Sequence, residues 1–323
     1  MRKSGSSSGN HAPKRFAVIG KTPSYRAVSC AADGSDERQL RALLDGHFDG
    51  APGLLEEFPL LTGRDNRTRC RVVADGEQLV AHAAWRPFEL ICGGERVRAA
   101  GIGLVTTHTE HRGRGLASTL VSECVAEARA DGRELALLFG TPRGLYRRLG
   151  FIPAGRERIT RIAPPPVRAP GRLRAGSRAD VPELLAMLTA QRVRVERSAA
   201  EFERLLAIPD THLHVFAREG QAVAYAVEGK GRDLQGVVHE WAGQPEGVAG
   251  LLAALARKSG PDLCALSPES LPAPVDGDHE IGSLAQLCIL CPERFGSSDP
   301  VRVFGDADTP AQLPFYVWGL DSF

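Results

Sequence analysis

A proline-rich segment near the middle of the chain most constrains how these 323 residues can fold. Residues 161–172 read RIAPPPVRAPGR. Proline fixes the backbone φ angle and has no amide proton to donate, so neither a helix nor a central strand can run through this segment. We therefore expect a stiff, extended linker of polyproline II character at residues 161–172. The linker separates two halves of ordinary domain size, residues 23–160 and 173–323.

Composition and charge argue against several classes of protein. The chain is 43% hydrophobic and 24% charged, with a formal net charge of +1, so no global attraction to nucleic acid or to an anionic membrane is expected. No apolar run reaches the ~20 residues that span a bilayer. Residues 1–22 are basic and rich in serine and glycine, and no apolar segment follows them. We expect a disordered arm there, not a secretory signal, and a cytoplasmic protein.

The cysteines predict packing, not chemistry. Seven are scattered along the chain, and Cys288 and Cys291 alone form a C-x-x-C pair. This pair lies in the apolar run 287–291, which is typical of a buried strand, and no second pair completes a zinc site. We expect no bound metal.

The first half predicts a mixed sheet with helices on both faces. Apolar residues recur at helical spacing over residues 116–130, and Asp131-Gly132 is suited to end that helix. The other predicted elements are helices at 35–44 and 145–149, and strands at 71–74, 79–88, 96–107, 134–139 and from 151. This order gives an α/β fold with a mixed α+β sheet, not a doubly wound dinucleotide fold.

The second half repeats this order of elements weakly. It predicts helices at 177–190 and 248–258, and strands at 213–218, 222–228, 236–241 and from 263. The repeat lies in the element order and not in the residues, so a degenerate duplication is a hypothesis. The aromatic tail Pro314–Leu320 is expected to dock as a final strand.

The stretch between the strand at 96–107 and the helix at 116–130 carries the chemistry. It is a short loop with two glycines at the positive end of a helix, where the amides of residues 112–117 can converge on a phosphate. Glycine permits close backbone approach, and Arg112 and Arg114 add positive charge. Spacing alone is a weak signal, because such loops are often mere connections. The loop is neither a P-loop nor a dinucleotide G-x-G-x-x-G.

Two motifs in this half resemble those of a known superfamily. Arg112-x-x-Gly115-x-Ala117 is similar to the R/Q-x-x-G-x-G/A motif of the GNAT N-acetyltransferases, and Leu145–Phe151 resembles their Y-x-x-x-G-F segment. The resemblance covers residues 25–160, and the layout looks most like the enhanced-intracellular-survival branch and its shorter bacterial relatives. It implies a GNAT-like N-terminal domain, a second, degenerate GNAT-like domain, and acetyl-CoA as co-substrate.

The resemblance also implies roles for individual residues. Tyr146 would be the general acid that protonates the leaving CoA thiolate, since a phenol of pKa ~10 can supply a thiolate of pKa ~8.5. Thr141 stands where many members place an asparagine that grips pantetheine. On the strand, which usually carries a bulge in this family, pantetheine would be bound by Val105, Thr106 and Thr107. The CoA pyrophosphate would be held by the amides of Arg112, Gly113, Arg114, Gly115, Leu116 and Ala117.

The general base is left open by the sequence. Candidates are Glu110 beside the loop, a bound water, and the terminal carboxylate of Phe323, because a terminal carboxylate serves in the enhanced-survival branch. His108, Glu89 and Glu95 are further carboxylate or imidazole candidates near the loop and strands.

The second half lacks a comparable loop, since Gly243–Gly247 reads GQPEG, so a second CoA site is not expected there. This half would instead wall the acceptor pocket. Candidate lining residues are Trp85, His239, Glu240 and Trp241, with ordinary packing as the alternative for each.

The expected function is transfer of an acetyl group to a primary amine, either a small molecule or a protein lysine. Two alternatives remain: a catalytically silent CoA-binding sensor or scaffold, and a transferase of a longer acyl group. The sequence specifies neither the amine nor the oligomeric state.

Overall fold

A computed structural model describes residues 28–29, 34–47, 53–140, 143–163, 170–232, 234–260, 263–273, 275 and 277–323. Three expectations fall on residues outside these ranges. They are the disordered arm at residues 1–22, the contact from Thr141, and the middle of the proline-rich segment, residues 164–169.

The first half contains the helices and strands that its sequence predicts, with small shifts at their ends. Its helices are α1 (Gly34–His47), α2 (Leu54–Glu57), α3 (Pro59–Thr62), α4 (Leu116–Ala130) and α5 (Arg143–Arg148). Its strands are β1 (Val28–Ser29), β2 (Cys70–Asp75), β3 (Gln78–Cys92), β4 (Glu95–Thr107), β5 (Leu135–Leu138) and β6 (Ile152–Arg161). Short 3-10 turns occupy Arg64–Arg69 and Thr109–His111.

The second half likewise contains its predicted elements and several more. Its strands are β7 (Arg172–Ala175), β8 (Arg194–Val195), β9 (His212–Arg218), β10 (Gln221–Glu228), β11 (Val237–Gly243), β12 (Cys264–Pro268) and β13 (His279–Ile289). Its helices are α6 (Val181–Thr189), α7 (Ala199–Leu206), α8 (Pro245–Ser259), α9 (Pro292–Phe295) and α10 (Pro300–Phe304). The 3-10 turns here are Arg178–Asp180 and Gly319–Asp321.

One mixed sheet of 13 strands runs through the described parts of both halves. Its order is β1-β2-β3-β4-β5-β13-β6-β12-β11-β10-β9-β7, with β8 paired to β3 off this path. The pairs β4–β5 and β11–β12 are parallel, and the other paired strands are antiparallel. The expected mixed sheet is therefore confirmed.

Strand β13 belongs to the second half by sequence but lies inside the sheet of the first. Its Leu287 pairs with Leu137 of β5 on one side and with Ile152 of β6 on the other. Four-residue β5 is buried at every position, as expected of a parallel strand covered on both faces.

Helix α4 covers one face of this part of the sheet. Its apolar residues recur every three or four positions, and those that become buried are Leu116, Leu120, Val121, Cys124 and Ala128. They pack in one cluster with residues of β3, β4 and β5. No described helix is both long and apolar enough to cross a membrane.

The aromatic tail docks, but the prediction that it forms a strand is wrong. Residues 314–318 have no regular secondary structure and pair with no described strand, and the 3-10 turn Gly319–Asp321 follows them. Side chains hold the tail instead: Trp318 is fully buried, with its ring 5.0 Å from that of Trp241 and 5.0 Å from that of Tyr316. The place beside β6 that a last strand could take is filled by β13.

Candidate active site

A bulge in β4 opens the sheet at the site. Along the β3–β4 pair, His82 faces Thr106 whereas Ala84 faces Gly103, so β4 carries one extra residue there. Leu104 within this bulge has a φ angle of 51°, which non-glycine residues rarely adopt. On its other side β4 pairs with β5 only from Ala99 to Gly101. Beyond Gly101 the two strands part, as the expected bulge requires.

A buried histidine supports the bulge. His82 Nδ1 donates a hydrogen bond to the Leu104 carbonyl at 2.8 Å, and the residue is fully buried. Burial lowers the pKa of His82 to about 4, so the ring is neutral at physiological pH. Sequence reasoning did not single out His82, because a lone histidine in a strand has no motif around it.

The loop after β4 exposes backbone amides. Gly113 and Gly115 have φ angles of 76° and 81°, the left-handed region that glycine adopts at least cost. No described atom lies within 4 Å of where a Cβ would sit on either glycine. Helix α4 begins at Leu116 with no side-chain cap, so the amides of its first turn have no partner within the helix. The corner is open to an anion.

Arginine side chains lie around this corner. Arg112 Nη2 lies 3.0 Å from His47 Nδ1, and Arg112 Nε donates to the Thr107 carbonyl at 3.3 Å. Arg114 Nη2 donates to the Glu110 carbonyl at 3.3 Å. Both arginines are exposed, so they can meet phosphate oxygens without first breaking a salt bridge to a described carboxylate.

Tyr146 lies on α5, close to the parted strands. It is 5% exposed, and a Cβ on Gly140 would lie 2.9 Å from its Cε2 and 3.3 Å from its hydroxyl oxygen. Glycine at 140 therefore lets the ring reach the end of β5. Burial raises the pKa of Tyr146, which keeps the phenol protonated at neutral pH.

The parted strands open into a cavity of about 890 Å³. A volume of this size is ordinary for a small-molecule site. Both halves contribute to its wall, and the described lining residues include Ile102, Gly103, Leu104, Val105, Phe139, Gly140, Tyr146, Leu266, Leu284, Val317 and Phe323.

Phe323 reaches into this cavity from the far end of the chain. Its ring packs against β4, where a Cβ on Gly101 would lie 2.4 Å from it. A Cβ on Gly103 would lie 2.8 Å from the Phe323 carbonyl carbon. The backbone of Phe323 thus lies directly beside the β4 bulge, and larger residues at 101 or 103 would displace it.

Of the other predicted site residues, some line the cavity and others do not. Val105 lines the cavity, whereas Thr106 is buried in β4 and Thr107 is half-buried at its end. Glu110 is exposed in the 3-10 turn after β4 and does not line the cavity. Glu89 and Glu95 form ion pairs with Arg133 and Arg294.

None of the four residues predicted to line the acceptor pocket, Trp85, His239, Glu240 and Trp241, lines the cavity. Trp85 sits beneath α4, where its Nε1 donates to Glu127 at 3.0 Å. Glu240 is fully buried and paired with Arg197, and Trp241 packs on Trp318. Each side chain points into a packed layer because the pleat and twist of the sheet, which the sequence does not specify, turn it away from the cavity.

Sequence reasoning missed two carboxylates of the cavity wall, Glu57 and Glu157. Glu157 accepts a 2.6 Å hydrogen bond from the Tyr316 hydroxyl, and burial raises the pKa of its carboxyl. It stands between Arg156 and Arg158, a charged run typical of an exposed strand, so no local signal marks it. Glu57 is one of two glutamates in the four-residue helix α2 and is equally unmarked.

The family comparison agrees with this geometry. Residues 31–154 match the family model described as an acetyltransferase (GNAT) domain. These residues form a GNAT acetyltransferase domain. This match supports an acyl-CoA as co-substrate.

Two curated relatives are similar to part of this chain. An uncharacterized N-acetyltransferase of Streptomyces coelicolor is 30% identical over 109 residues, which are 32% of this chain and 26% of that protein. Another, from Streptomyces avermitilis, is 29% identical over 155 residues, 45% of this chain and 38% of that protein. The chain thus spans well under half the length of the curated relatives it matches.

Solved structures extend the likeness in fold beyond the GNAT domain. A probable N-acyltransferase of Enterococcus faecalis covers 84% of this chain and 73% of its own, with a TM-score of 0.64 and 19% identity. Eis1 of Mycobacterium abscessus covers 82% and 74%, with a TM-score of 0.53 and 18% identity. Saccharomyces cerevisiae N-myristoyltransferase, solved with bound myristoyl-CoA, covers 86% of both chains, with a TM-score of 0.52 and 15% identity.

Proposed function

We propose that this chain is an N-acetyltransferase that moves the acetyl group of acetyl-CoA to a primary amine by direct attack, with both substrates bound together. The observation that carries the proposal is a cavity lined by the bulge of β4 and by Tyr146, with an open helix corner in the loop that follows β4. The amides of residues 113–117 would hold the pyrophosphate together with the Arg112 side chain, since the Arg112 amide donates to the Thr109 carbonyl at 3.3 Å. Val105 and Thr107 would hold the pantetheine.

The reaction balances around groups of this chain. The amine nitrogen attacks the thioester carbonyl, so a C–N bond forms as the C–S bond breaks. An ammonium acceptor loses two protons in all: one replaces the proton that Tyr146 gives to the CoA sulfur, and the other reaches solvent. Most of the rate enhancement would come from holding the two reactants together.

Three groups are candidates to take the first proton. In a chain that ends at Phe323, its carboxylate would lie beside Gly103 and thus beside the bulge. A water in the cavity is the second candidate. Glu110 has less support, since it lines no part of the cavity.

We also propose a second, degenerate GNAT-like domain over residues 173–323, joined through the linker at 161–172. The support is the repeated element order and the reach of the fold likeness across 84% of the chain. This domain would wall the acceptor side of the cavity, to which Leu266, Leu284 and Val317 contribute.

Calorimetry with acetyl-CoA tests the cofactor corner. The double variant Arg112→Glu, Gly115→Glu should weaken binding about 100-fold, since it removes charge-assisted hydrogen bonds and repels the pyrophosphate. The control Arg218→Glu, Gln244→Glu makes the same change in charge beside α8 and should bind as the wild type does. No binding by the wild type would remove the proposal.

The variant Tyr146→Phe tests catalysis. Its kcat should fall about 100-fold while acetyl-CoA affinity stays unchanged, because a general acid acts on the transition state. Unchanged turnover would reject Tyr146 as the acid. A silent CoA-binding sensor would release no thiol in either protein.

The cavity volume also keeps a longer acyl group as a second candidate. A cavity of about 890 Å³ lies in the upper part of the range of small-molecule sites and has room for a longer acyl group. A mass spectrum of CoA species that co-purify with the protein separates the two: acetyl-CoA supports the first proposal and a longer acyl-CoA the second.

A further inference from the structure

The wall of the cavity is largely apolar. Its aliphatic and aromatic members come from both halves and include Ile102, Leu104, Phe139, Leu266, Leu284 and Phe323. A charged group buried against such a wall is unfavourable unless a partner of opposite charge compensates it. The few charged groups of the wall therefore limit what the cavity can accept.

One of the two wall carboxylates is already neutralised. Glu57 lies 3.2 Å from Arg232 Nε, and its side chain is 8% exposed. The pair adds no net charge to the cavity.

The other carboxylate has no cationic partner among the described residues. Glu157 accepts a hydrogen bond from the Tyr316 hydroxyl at 2.6 Å. The ion pairs of the described residues do not include Glu157, although its neighbour Arg156 pairs with Glu269. A carboxylate can accept more hydrogen bonds than this single one. Glu157 thus has free capacity for a donor on the cavity side.

We propose that the acceptor is a primary monoamine with an apolar body, bound with its ammonium against Glu157 and its body against the apolar wall. The inference rests on the proposed acetyl transfer and names the substrate class of the same cavity. The one unpaired side-chain carboxylate among the described wall residues matches one ammonium, and a carboxylate at Phe323 would take a proton from that same ammonium. A second ammonium on the same molecule would face the apolar wall without a partner, so polyamines are disfavoured.

A matched pair of amines tests the proposal. Hexylamine and 1,6-diaminohexane have the same length and differ by one ammonium. With wild-type enzyme and acetyl-CoA, thiol release should give hexylamine a kcat/KM at least about tenfold above that of the diamine, although the diamine offers two reactive ends. An equal or higher kcat/KM for the diamine would overturn the proposal while leaving acetyl transfer intact.

Variants assign the preference to Glu157. Glu157→Gln keeps the shape and the hydrogen bond from Tyr316 but removes the charge. It should raise the KM for hexylamine by about 30-fold or more with a smaller change in kcat, since the lost interaction is one of binding. The control Glu269→Gln, next to the same strand but outside the cavity, should keep the wild-type KM. An unchanged KM in Glu157→Gln would overturn the assignment.

Acetyl-CoA binding helps to distinguish failure of the proposed acceptor class from failure of the proposed acetyl transfer. If the wild type and Glu157→Gln bind acetyl-CoA equally, Glu157→Gln is folded and its KM is informative. If the wild type binds acetyl-CoA but releases thiol with neither amine, the proposed acceptor class falls, and turnover with other primary amines decides the proposed acetyl transfer.

Discussion

Each half of the molecule contains a corner in which a strand leads through a loop into a helix, but the space around the loop is open in the first half and filled in the second. In each, a strand with an irregular antiparallel partner enters a 15-residue helix: β4 leads to α4, and β11 leads to α8. In each, that strand is parallel to the next one along the sheet. The first corner is open, with free space around Gly113 and Gly115.

The second corner is filled. A Cβ on Gly243 would lie 2.4 Å from the Val223 carbonyl oxygen, and one on Gly247 would lie 3.0 Å from it. The Gln244 amide already donates to that carbonyl at 2.8 Å, and Pro245 has no amide proton to offer. A strand-loop-helix corner binds an anion only when its amides are left without other partners.

The second half instead contains buried charge. Arg197 donates to Glu240 at 2.9 Å and also bonds Asp321, and all three side chains are at most 1% exposed. Arg86 of β3 lies 3.3 Å from the same Asp321. This cluster ties the 3-10 turn at Gly319–Asp321 to both halves. We therefore expect substitutions in the first corner to change acetyl-CoA binding, and substitutions in the second half to change the free energy of unfolding.

The largest expected effect is on stability, from Arg197→Met. It leaves Glu240 and Asp321 buried without their main partner, so urea unfolding should show a loss of about 3–5 kcal/mol. The control Arg174→Met breaks a pair with Asp180 whose arginine is 40% exposed, and should cost less than about 1 kcal/mol. Equal losses in both variants would contradict the buried-cluster argument.

The second-largest expected effect is a loss of stability at acidic pH, to which one buried histidine in each half contributes. Burial lowers the pKa of His82 and of His239 to about 4 in the folded state. The unfolded chain therefore binds more protons than the folded chain between pH ~6.5 and ~4, and each histidine should remove about 1.4 kcal/mol per pH unit as the pH falls through that window.

Melting temperatures between pH 7 and 4.5 measure this loss. His82→Asn and His239→Asn should each make the pH dependence shallower, and the double variant shallower still. The His82 variant should also weaken turnover, because its ring holds the Leu104 carbonyl, whereas His239 bonds the Gly229 carbonyl away from the cavity. An unchanged slope in both variants would show that other groups cause the acid sensitivity.

The smallest effect compares one glycine from each corner. Gly243→Ala should cost about 2 kcal/mol, since its Cβ meets a backbone oxygen and its φ angle is 135°. Acetyl-CoA affinity should not change. Gly113→Ala should cost about 1 kcal/mol for its φ angle of 76° and should also weaken acetyl-CoA binding about tenfold by obstructing the approach. Thermal unfolding and calorimetry measure both, and the reverse pattern would reject the comparison.

Local patterns predicted the local parts of this molecule. Both ends of the helix at 116–130 match the prediction, because the spacing of its apolar residues and its flanking glycines are local features of the sequence. The open corner followed from two glycines and two arginines in one short loop. Long-range pairings leave no such local pattern in the sequence. No local pattern specifies, for example, that β13 pairs between β5 and β6.

The same lack of a local signal explains why some cavity residues were missed and why others were wrongly expected to line the cavity. The tail 314–318 has the composition of a strand, yet tertiary packing of Tyr316 and Trp318 decides its conformation. Trp85 and Glu157 both lie on strands, and whether each side chain meets the cavity depends on the twist and register of the whole sheet. The sequence marks residues beside glycine-rich motifs more clearly than residues that reach the cavity from distant strands.

The insertion of β13 also has a consequence for synthesis. Strands β5 and β6, which flank the residues around Tyr146, have no common neighbour until residues 279–289 have been made. A nascent or proteolysed chain that stops earlier exposes two unpaired strand edges, the kind of surface that promotes aggregation. Completion of the cavity wall and protection of these edges thus occur in the same late event.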